Sequence, residues 1–239
     1  MYEHLNNIGL ENYIKKCCGG KTHEDSWLRG LDTFVGRIEK DSIEVLRLKF
    51  SKISNHSQIT DTLNEVMVAC IFHPLATFIK EGTYKTPDLY DKSRNVYVEI
   101  KSLNEGDDEK ERHKSDSFLD ISRVLSETEK SIKKQKILEN IYKKACDHFS
   151  KATCQLNNQG IIYLVYDYNL FFRDKTGTNN QPCFTNTQVK IVSQNDVLAC
   201  IRKATDDFIK IHPCISISPV YFGELRNRII ELYSSFTNC

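Results

Sequence analysis

Residues 84–104 of the chain have the sequence YKTPDLYDKSRNVYVEIKSLN. The segment VYVEIK at 96–101 is dominated by β-branched and aromatic residues, which favour a β-strand. The tetrapeptide KSRN at 92–95 precedes it and is polar and turn-prone. A short apolar stretch closed by Pro87-Asp88 lies on the other side of that turn. The whole stretch therefore predicts a β-hairpin.

The alternation of side chains along a strand sorts the charged residues of this hairpin. Glu99 and Lys101 fall on the same face as Tyr97. At about 3.3 Å per residue, Glu99 and Lys101 stand roughly 6.5–7 Å apart along the strand. Asp88, on the partner strand, is expected to approach them from the side. Two carboxylates beside one lysine predict a site for a hard cation with a charge partner for a phosphate.

Pro87-Asp88 followed by Glu99-x-Lys101 on an apolar strand resembles the signature of the PD-(D/E)XK nuclease superfamily. The resemblance implies an α/β fold with a restriction-endonuclease-like αβββαβ core, in which helices flank a mixed central sheet. It also implies a Mg²⁺-dependent endonuclease that hydrolyses phosphodiester bonds, with Mn²⁺ as a substitute. Metal binding is assigned by the resemblance to Asp88, Glu99 and the backbone carbonyl of Ile100. Lys101 would orient the attacking water.

Two predicted helices are expected to bring further groups to this site. Residues 58–72 carry apolar residues at helical spacing and end before Pro74. Glu65 lies at the edge of that apolar face; a solvated helix residue is one interpretation, and the resemblance implies an extra metal ligand. On the long helix predicted over 117–157, the resemblance places Gln155 near the reacting water or the phosphate.

That long helix also carries the densest group of basic residues in the chain. A solvated face accounts for such a group without any function. A surface that follows phosphates is the functional alternative, and we expect it at Lys144 and Lys151. Lys151 lies one turn before Gln155, so the two side chains share a helix face.

Length and pattern predict one extended domain of 239 residues in three parts. A helical region at 1–57 packs on the nuclease core at 58–168, and an α/β extension of the same domain occupies 169–239. In the first part, Asp41-Ser42 is expected to cap a helix. A solvated face is preferred there over a DNA-clamping arm for four basic residues: Arg29, Arg37, Arg47 and Lys49.

Composition limits the classes of function. Lys and Arg number 33 against 32 Asp and Glu, so overall charge does not indicate a nucleic-acid binder and local clusters must supply any basic surface. Nine cysteines contain no C-x-x-C pair, which argues against a zinc site. The chain has no apolar run of about eighteen residues and no signal-peptide pattern at its start. We therefore expect a cytoplasmic protein with no membrane partner.

The predicted function is a metal-dependent nuclease, of restriction-like or phage-defence type, acting on nucleic acid and on DNA in particular. One alternative is a catalytically inactive relative that binds nucleic acid or has a structural role. The other is an α/β interaction protein in which the charges from Asp88 to Lys101 form an ordinary surface pair of little energetic value. A homodimer is left open.

Overall fold

The computed structural model describes residues 2–10, 26–53, 56–80, 82, 86–103, 126–166 and 192–237. Within these ranges the helices are α1 Glu3–Asn7, α2 Ser26–Val35, α3 Lys40–Ser51, α4 His56–Phe72, α5 Glu127–Gln155, α6 Gln194–Ile211 and α7 Phe222–Thr237. The strands are β1 Ala76–Phe78, β2 Leu89–Asp91, β3 Val96–Leu103, β4 Gly160–Tyr166 and β5 Ile215–Tyr221.

The five strands form one mixed sheet in the order β1-β2-β3-β4-β5. Strand β2 pairs antiparallel with β1 and β3, and β4 pairs parallel with β3 and β5. Helix α5 connects β3 to β4, and α6 connects β4 to β5, because parallel neighbours need a crossover. The prediction of an α/β protein whose mixed sheet is flanked by helices is confirmed.

Each face of the sheet is covered by its own hydrophobic core. On the first face, Val98, Ile100 and Tyr163 pack with apolar residues of α1 to α4 and α7. On the second face, Leu103 and Leu164 pack with residues of α5 and α6. Burial on both faces explains why β4 is almost continuously apolar. The result is three layers, with the sheet in the middle.

Local signals in the sequence account for the long crossover helices. Helix α5 begins with a capping box, in which the side chain of Ser126 accepts from the Glu129 amide and the Glu129 side chain accepts from the Ser126 amide. Ser193 and Asp196 form the same arrangement at the start of α6. These reciprocal bonds satisfy amides that have no partner in the first turn of a helix.

The predicted elements agree with the structure in type, with two qualifications. Helix α4 and strand β3 lie where the 58–72 and 96–101 patterns predicted them, and β4 lies within the apolar run around IIYLVYDY at 161–168, which is typical of a strand buried on both faces. Within the predicted C-terminal extension, the polar composition of residues 169–187 indicates an irregular segment and residues 188–192 favour a short strand; all of these residues except Val192 lie outside the described ranges. Residues of all three predicted parts of the chain share the first core, and the boundaries between those parts remain a prediction.

The predicted cap at Asp41-Ser42 is wrong. Helix α3 begins at Lys40, before both of these residues. Its N-cap is Glu39, and no side chain caps the helix. Ser42 is buried, and its hydroxyl accepts a hydrogen bond of 3.1 Å from the backbone amide of Phe78 in β1. A buried amide on an edge strand needs such an acceptor, so the serine serves the sheet and not the helix end.

A buried polar network holds the hairpin to the end of α4. His73 Nδ1 lies 2.7 Å from Asp91 Oδ2, and its Nε2 lies 3.0 Å from the Tyr163 hydroxyl. The other carboxylate oxygen of Asp91 accepts from the amides of Ser93 and Arg94 in the turn. Burial acts to raise the pKa of Asp91, but these hydrogen bonds outweigh it and lower the pKa to about 2. The carboxylate therefore stays ionised and fixes the turn.

Gly160 is required where β4 begins. Its φ of +149° is strained for any other residue, and a Cβ there would lie 2.7 Å from the carbonyl oxygen of Tyr97. We expect Gly160→Ala to lower the free energy of unfolding by about 1–3 kcal/mol, measured by chemical denaturation. Asn158→Gly is the matched control, because Asn158 has a φ of +62° that glycine adopts freely. A Gly160→Ala protein as stable as its parent would contradict the strain.

Candidate active site

One cleft of about 580 Å³ opens on the hairpin where α3, α4 and α5 approach it. Its lining combines acidic, basic and neutral polar groups from all of these elements. Eight of the lining residues matter for the chemistry: Lys49, Glu65, Asp88, Glu99, Ile100, Lys101, Lys151 and Gln155. Seven of these eight were predicted site residues, and Lys49 was not.

Asp88 and Glu99 lie on neighbouring strands. Leu89 pairs with Val98, and continuing that antiparallel register by one residue sets Asp88 opposite Glu99. Asp88 Oδ2 accepts a hydrogen bond of 2.8 Å from the backbone amide of Ile100. This bond holds the Asp88 carboxylate against β3, on the side that carries Glu99.

The carboxylate of Glu99 is completely buried. Its Oε1 accepts from the ammonium of Lys101, two residues further along the same face. Its Oε2 has no hydrogen-bond partner among the described residues. A buried carboxylate oxygen without a donor is costly unless a cation or another donor satisfies it.

Lys49 joins the remaining carboxylates. Its Nζ lies 2.5 Å from Glu65 Oε2 and 3.1 Å from Asp88 Oδ1. Only 9% of the lysine side chain is exposed, so the predicted solvated helix face is wrong for this residue. The spacing on α3 held the signal, since Lys49 follows the buried Leu46 by three positions and precedes the buried Phe50. Lys49 thus lies on the buried stripe of its helix.

The cleft changes the protonation of its acidic groups. Burial, and then the charge of Asp88, raise the pKa of Glu65 to about 8. The same two causes raise the pKa of Glu99 to about 8. Burial acts to lower the pKa of Lys49, but the charges of Glu65 and Asp88 outweigh it and raise that pKa. Ionising both glutamates is therefore unfavourable in this cleft, and a cation bound beside them would favour their ionised forms.

Helix α5 contributes a polar stripe at intervals of three or four residues. His148, Lys151 and Gln155 line the cleft, and Gln155 Nε2 donates to the carbonyl oxygen of Thr86 at 3.5 Å. Burial, together with the charges of Lys101 and Lys151, lowers the pKa of His148 to about 4. His148 was not a predicted site residue, although its spacing from Lys151 and Gln155 places it on their face of the helix.

Lys144 occupies the next turn of the same stripe. It does not belong to the described lining of the cleft, but its charge also lowers the pKa of His148. The side chain of Lys151 is exposed at the mouth of the cleft. The two lysines predicted to contact phosphates therefore lie at different distances from the site, Lys151 at its edge and Lys144 beyond it.

The donor groups fit a hard divalent cation in type. Glu65, Asp88 and Glu99 offer carboxylate oxygens, the ligands preferred by Mg²⁺ and Mn²⁺, and the orphaned oxygen of Glu99 is suited to one. Among the described residues, no group of three or more His, Cys, Asp or Glu side chains is already arranged as a metal cage. The ammonium groups of Lys49 and Lys101 instead contact these carboxylates.

Comparisons with protein-family models, with curated proteins and with solved structures found no match for the chain. Function therefore has to be inferred from the residues of the cleft. In the part of the chain that the structure describes, no helix has both the length and the apolar character that a membrane span requires.

Replacing Lys49 by methionine should destabilise the fold. At pH 9, above the raised pKa of Glu65, losing the buried counter-ion of Glu65 and Asp88 should cost about 3–5 kcal/mol of unfolding free energy. At pH 5 the loss should be smaller, because Glu65 can hold its proton. Denaturant titration at both pH values measures this, and Lys40→Met, at an exposed position of the same helix, is the control. An equal loss at both pH values would contradict the charge-based explanation.

The stability of the metal-free protein should fall as pH rises from about 6.5 to 8. In this window Glu65 and Glu99 keep their protons in the folded state, whereas unfolded glutamates ionise near 4.5. The folded state then binds more protons, so the free energy of unfolding decreases with pH. His73 and His148 have lowered pKa values in the folded state, so their opposing contribution comes only from unfolded imidazoles, which lose their charge around pH 6.5, and it fades towards pH 8.

Calorimetry in EDTA across this window measures the effect as a falling Tm. Glu65→Gln should give a shallower decline, because the amide has no proton to release in this range. A Tm that is constant or rises between pH 6.5 and 8 would contradict the raised pKa values.

Proposed function

We propose that the protein is a Mg²⁺-dependent endonuclease that hydrolyses phosphodiester bonds of nucleic acid, DNA in particular, of the restriction-like or phage-defence type. The observation that supports it best is the convergence of Glu65, Asp88 and Glu99 with Lys101 in one largely buried cleft. A surface charge pair would lie flat and exposed, whereas here the Glu99 carboxylate is fully buried. This favours a built site over an incidental pair.

The order of elements supports the finer fold assignment. Helix α4, strands β1 to β3, helix α5 and strand β4 follow one another as α, β, β, β, α, β. That order, together with the antiparallel hairpin and the parallel β3–β4 pair, is what the resemblance to restriction-endonuclease-like proteins implies. We infer a core of that kind, with α1 to α3 before it and α6, β5 and α7 after it.

The three carboxylates would hold the metal. Asp88 and Glu99 are the main ligands in this proposal, with Glu65 and the backbone carbonyl of Ile100 as further oxygen donors. Mg²⁺, or Mn²⁺ in its place, supplies polarisation of a phosphoryl oxygen and makes a nearby water more acidic. The raised pKa values of Glu65 and Glu99 support this role, because a site that resists holding several negative charges gains most from a cation.

Lys101 would stabilise the charge that develops during hydrolysis. Its ammonium is held by Glu99 Oε1 on the face of β3 that opens into the cleft. From there it can orient the attacking water and oppose the charge that builds on the phosphate oxygens. Lys151 and Gln155, on α5, would hold the nucleic-acid backbone and its water at the opposite wall.

Substitutions at the site should separate chemistry from metal binding. Lys101→Ala should reduce cleavage by about 10²–10³-fold or more while Mn²⁺ still binds, because lysine is not a metal ligand. Asp88→Ala should lose both cleavage and Mn²⁺ binding, and Glu99→Gln should behave in the same way with better retention of the fold. Lys136→Ala, at an exposed position about four turns before Lys151 on α5, is the control and should cut normally.

The assay is cleavage of supercoiled, linear and single-stranded DNA and of RNA with Mg²⁺, Mn²⁺ or EDTA, alongside calorimetric titration of each variant with Mn²⁺. Cleavage by Lys101→Ala at the parent rate would overturn the mechanism. No cleavage of any substrate, with Mn²⁺ binding preserved, would favour the inactive nucleic-acid-binding relative.

A further inference from the structure

A second groove adjoins the cleft on the same side of the sheet. It has a volume of about 570 Å³, and four residues line both it and the cleft: Ile79, Thr86, Pro87 and Gln155. Beyond these four residues the lining changes, because Tyr90 and Tyr97 line the groove where carboxylates line the cleft. A strand of polymer that crosses the cleft can therefore continue into this groove.

The two tyrosines form an ordered aromatic surface. They are paired across β2 and β3, and their ring centroids lie 4.9 Å apart with 39° between the ring planes. The Tyr90 hydroxyl donates to Asn95 Oδ1 at 2.7 Å, which holds the orientation of its ring. Tyr97 is 48% exposed, so part of its ring remains uncovered.

We propose that this groove binds an unpaired nucleobase next to the scissile phosphate, stacked on Tyr97 and Tyr90. The proposal rests on the proposed nuclease function. It implies that the substrate is a single strand, or a duplex with unpaired nucleotides at the cut. Aromatic side chains bind bases of any sequence by stacking, because every base has a π-face. A base inside a duplex is stacked on both faces and cannot lie flat on the ring.

The position of Tyr97 suits a base that flanks the reacting phosphate. It lies two residues before Glu99 on the same face of β3, a separation of roughly 6.6 Å along the strand. Lys92 also lines the groove. Its Nζ lies 3.6 Å from Glu39 Oε1, and both side chains are mostly exposed. Such a surface pair is weak, so Lys92 can exchange Glu39 for a backbone phosphate. Lys101 and Lys92 then provide positive charge on either side of the tyrosines.

The test measures binding of fluorescent oligonucleotides to the full chain by fluorescence anisotropy. The titration is done in EDTA, where no cleavage occurs. One oligonucleotide is single-stranded and the other is its blunt duplex. Tyr97→Ala should weaken single-strand binding by about 5- to 150-fold, the range for one base stacked on an aromatic side chain. Tyr97→Phe should bind like the parent, because the ring is kept. Tyr97→Leu, which keeps an apolar strand residue, should bind like Tyr97→Ala.

Two controls make the result specific. Duplex binding should be unchanged in all Tyr97 variants, and Tyr233→Ala, on α7 and outside the groove, should bind both oligonucleotides like the parent. A 2-aminopurine base in the single strand should be quenched by the parent and by Tyr97→Phe, but not by Tyr97→Leu, since quenching reports stacking.

Unchanged single-strand affinity in Tyr97→Ala and Tyr97→Leu would overturn the proposal, and so would an equal loss for single strand and duplex. These outcomes are independent of catalysis. Cleavage that depends on Lys101 but not on Tyr97 would support the nuclease function and contradict the base-binding groove. Stacking on Tyr97 without cleavage of any substrate would support the base-binding groove and contradict the nuclease function.

Discussion

The burial of the Glu99 carboxylate is the constraint on which the candidate site depends. Taking an ionised carboxylate out of water costs several kcal/mol unless other groups replace its hydration. Lys101 satisfies one of its oxygens, and the other has no partner among the described residues. A fold that keeps this arrangement gives up stability at that point. Such a cost is expected where a protein maintains a site for a ligand.

Lys49 shows how the neighbouring elements offset part of that cost. Without its ammonium, Glu65 on α4 and Asp88 beside β2 would face each other and Glu99 across a poorly hydrated space. The lysine reaches them from α3, the helix whose Ser42 also binds the amide of Phe78 in β1. Helix α3 is therefore held to the sheet at one end and to the carboxylates at the other. The N-terminal helices contribute directly to the site.

The two faces of the sheet have different roles. The first face is apolar along β3, where Val98 and Ile100 enter the larger core, and the buried pair of His73 and Asp91 anchors the hairpin turn. On the opposite face, β3 is apolar only from Leu103 onward, while β4 adds Ile162 and Leu164 to the second core. The remainder of that face carries the cleft and the tyrosine groove. A fully packed face thus supports a face that is polar around the cleft, which favours accurate positioning of functional groups.

The local sequence determined the elements and the central group of the site. Period-two alternation in β3 and the turn at 92–95 were enough to predict that Asp88, Glu99 and Lys101 would lie near one another, because both signals act within about fifteen residues. The contacts of Lys49 and His148 depended on how α3 and α5 pack against the sheet, and helical spacing alone does not say what a buried face meets. The raised pKa values of Glu65 and Glu99 follow from burial and from charges distant in sequence. Only the tertiary structure could bring those charges together, because electrostatic interactions depend on separation in space.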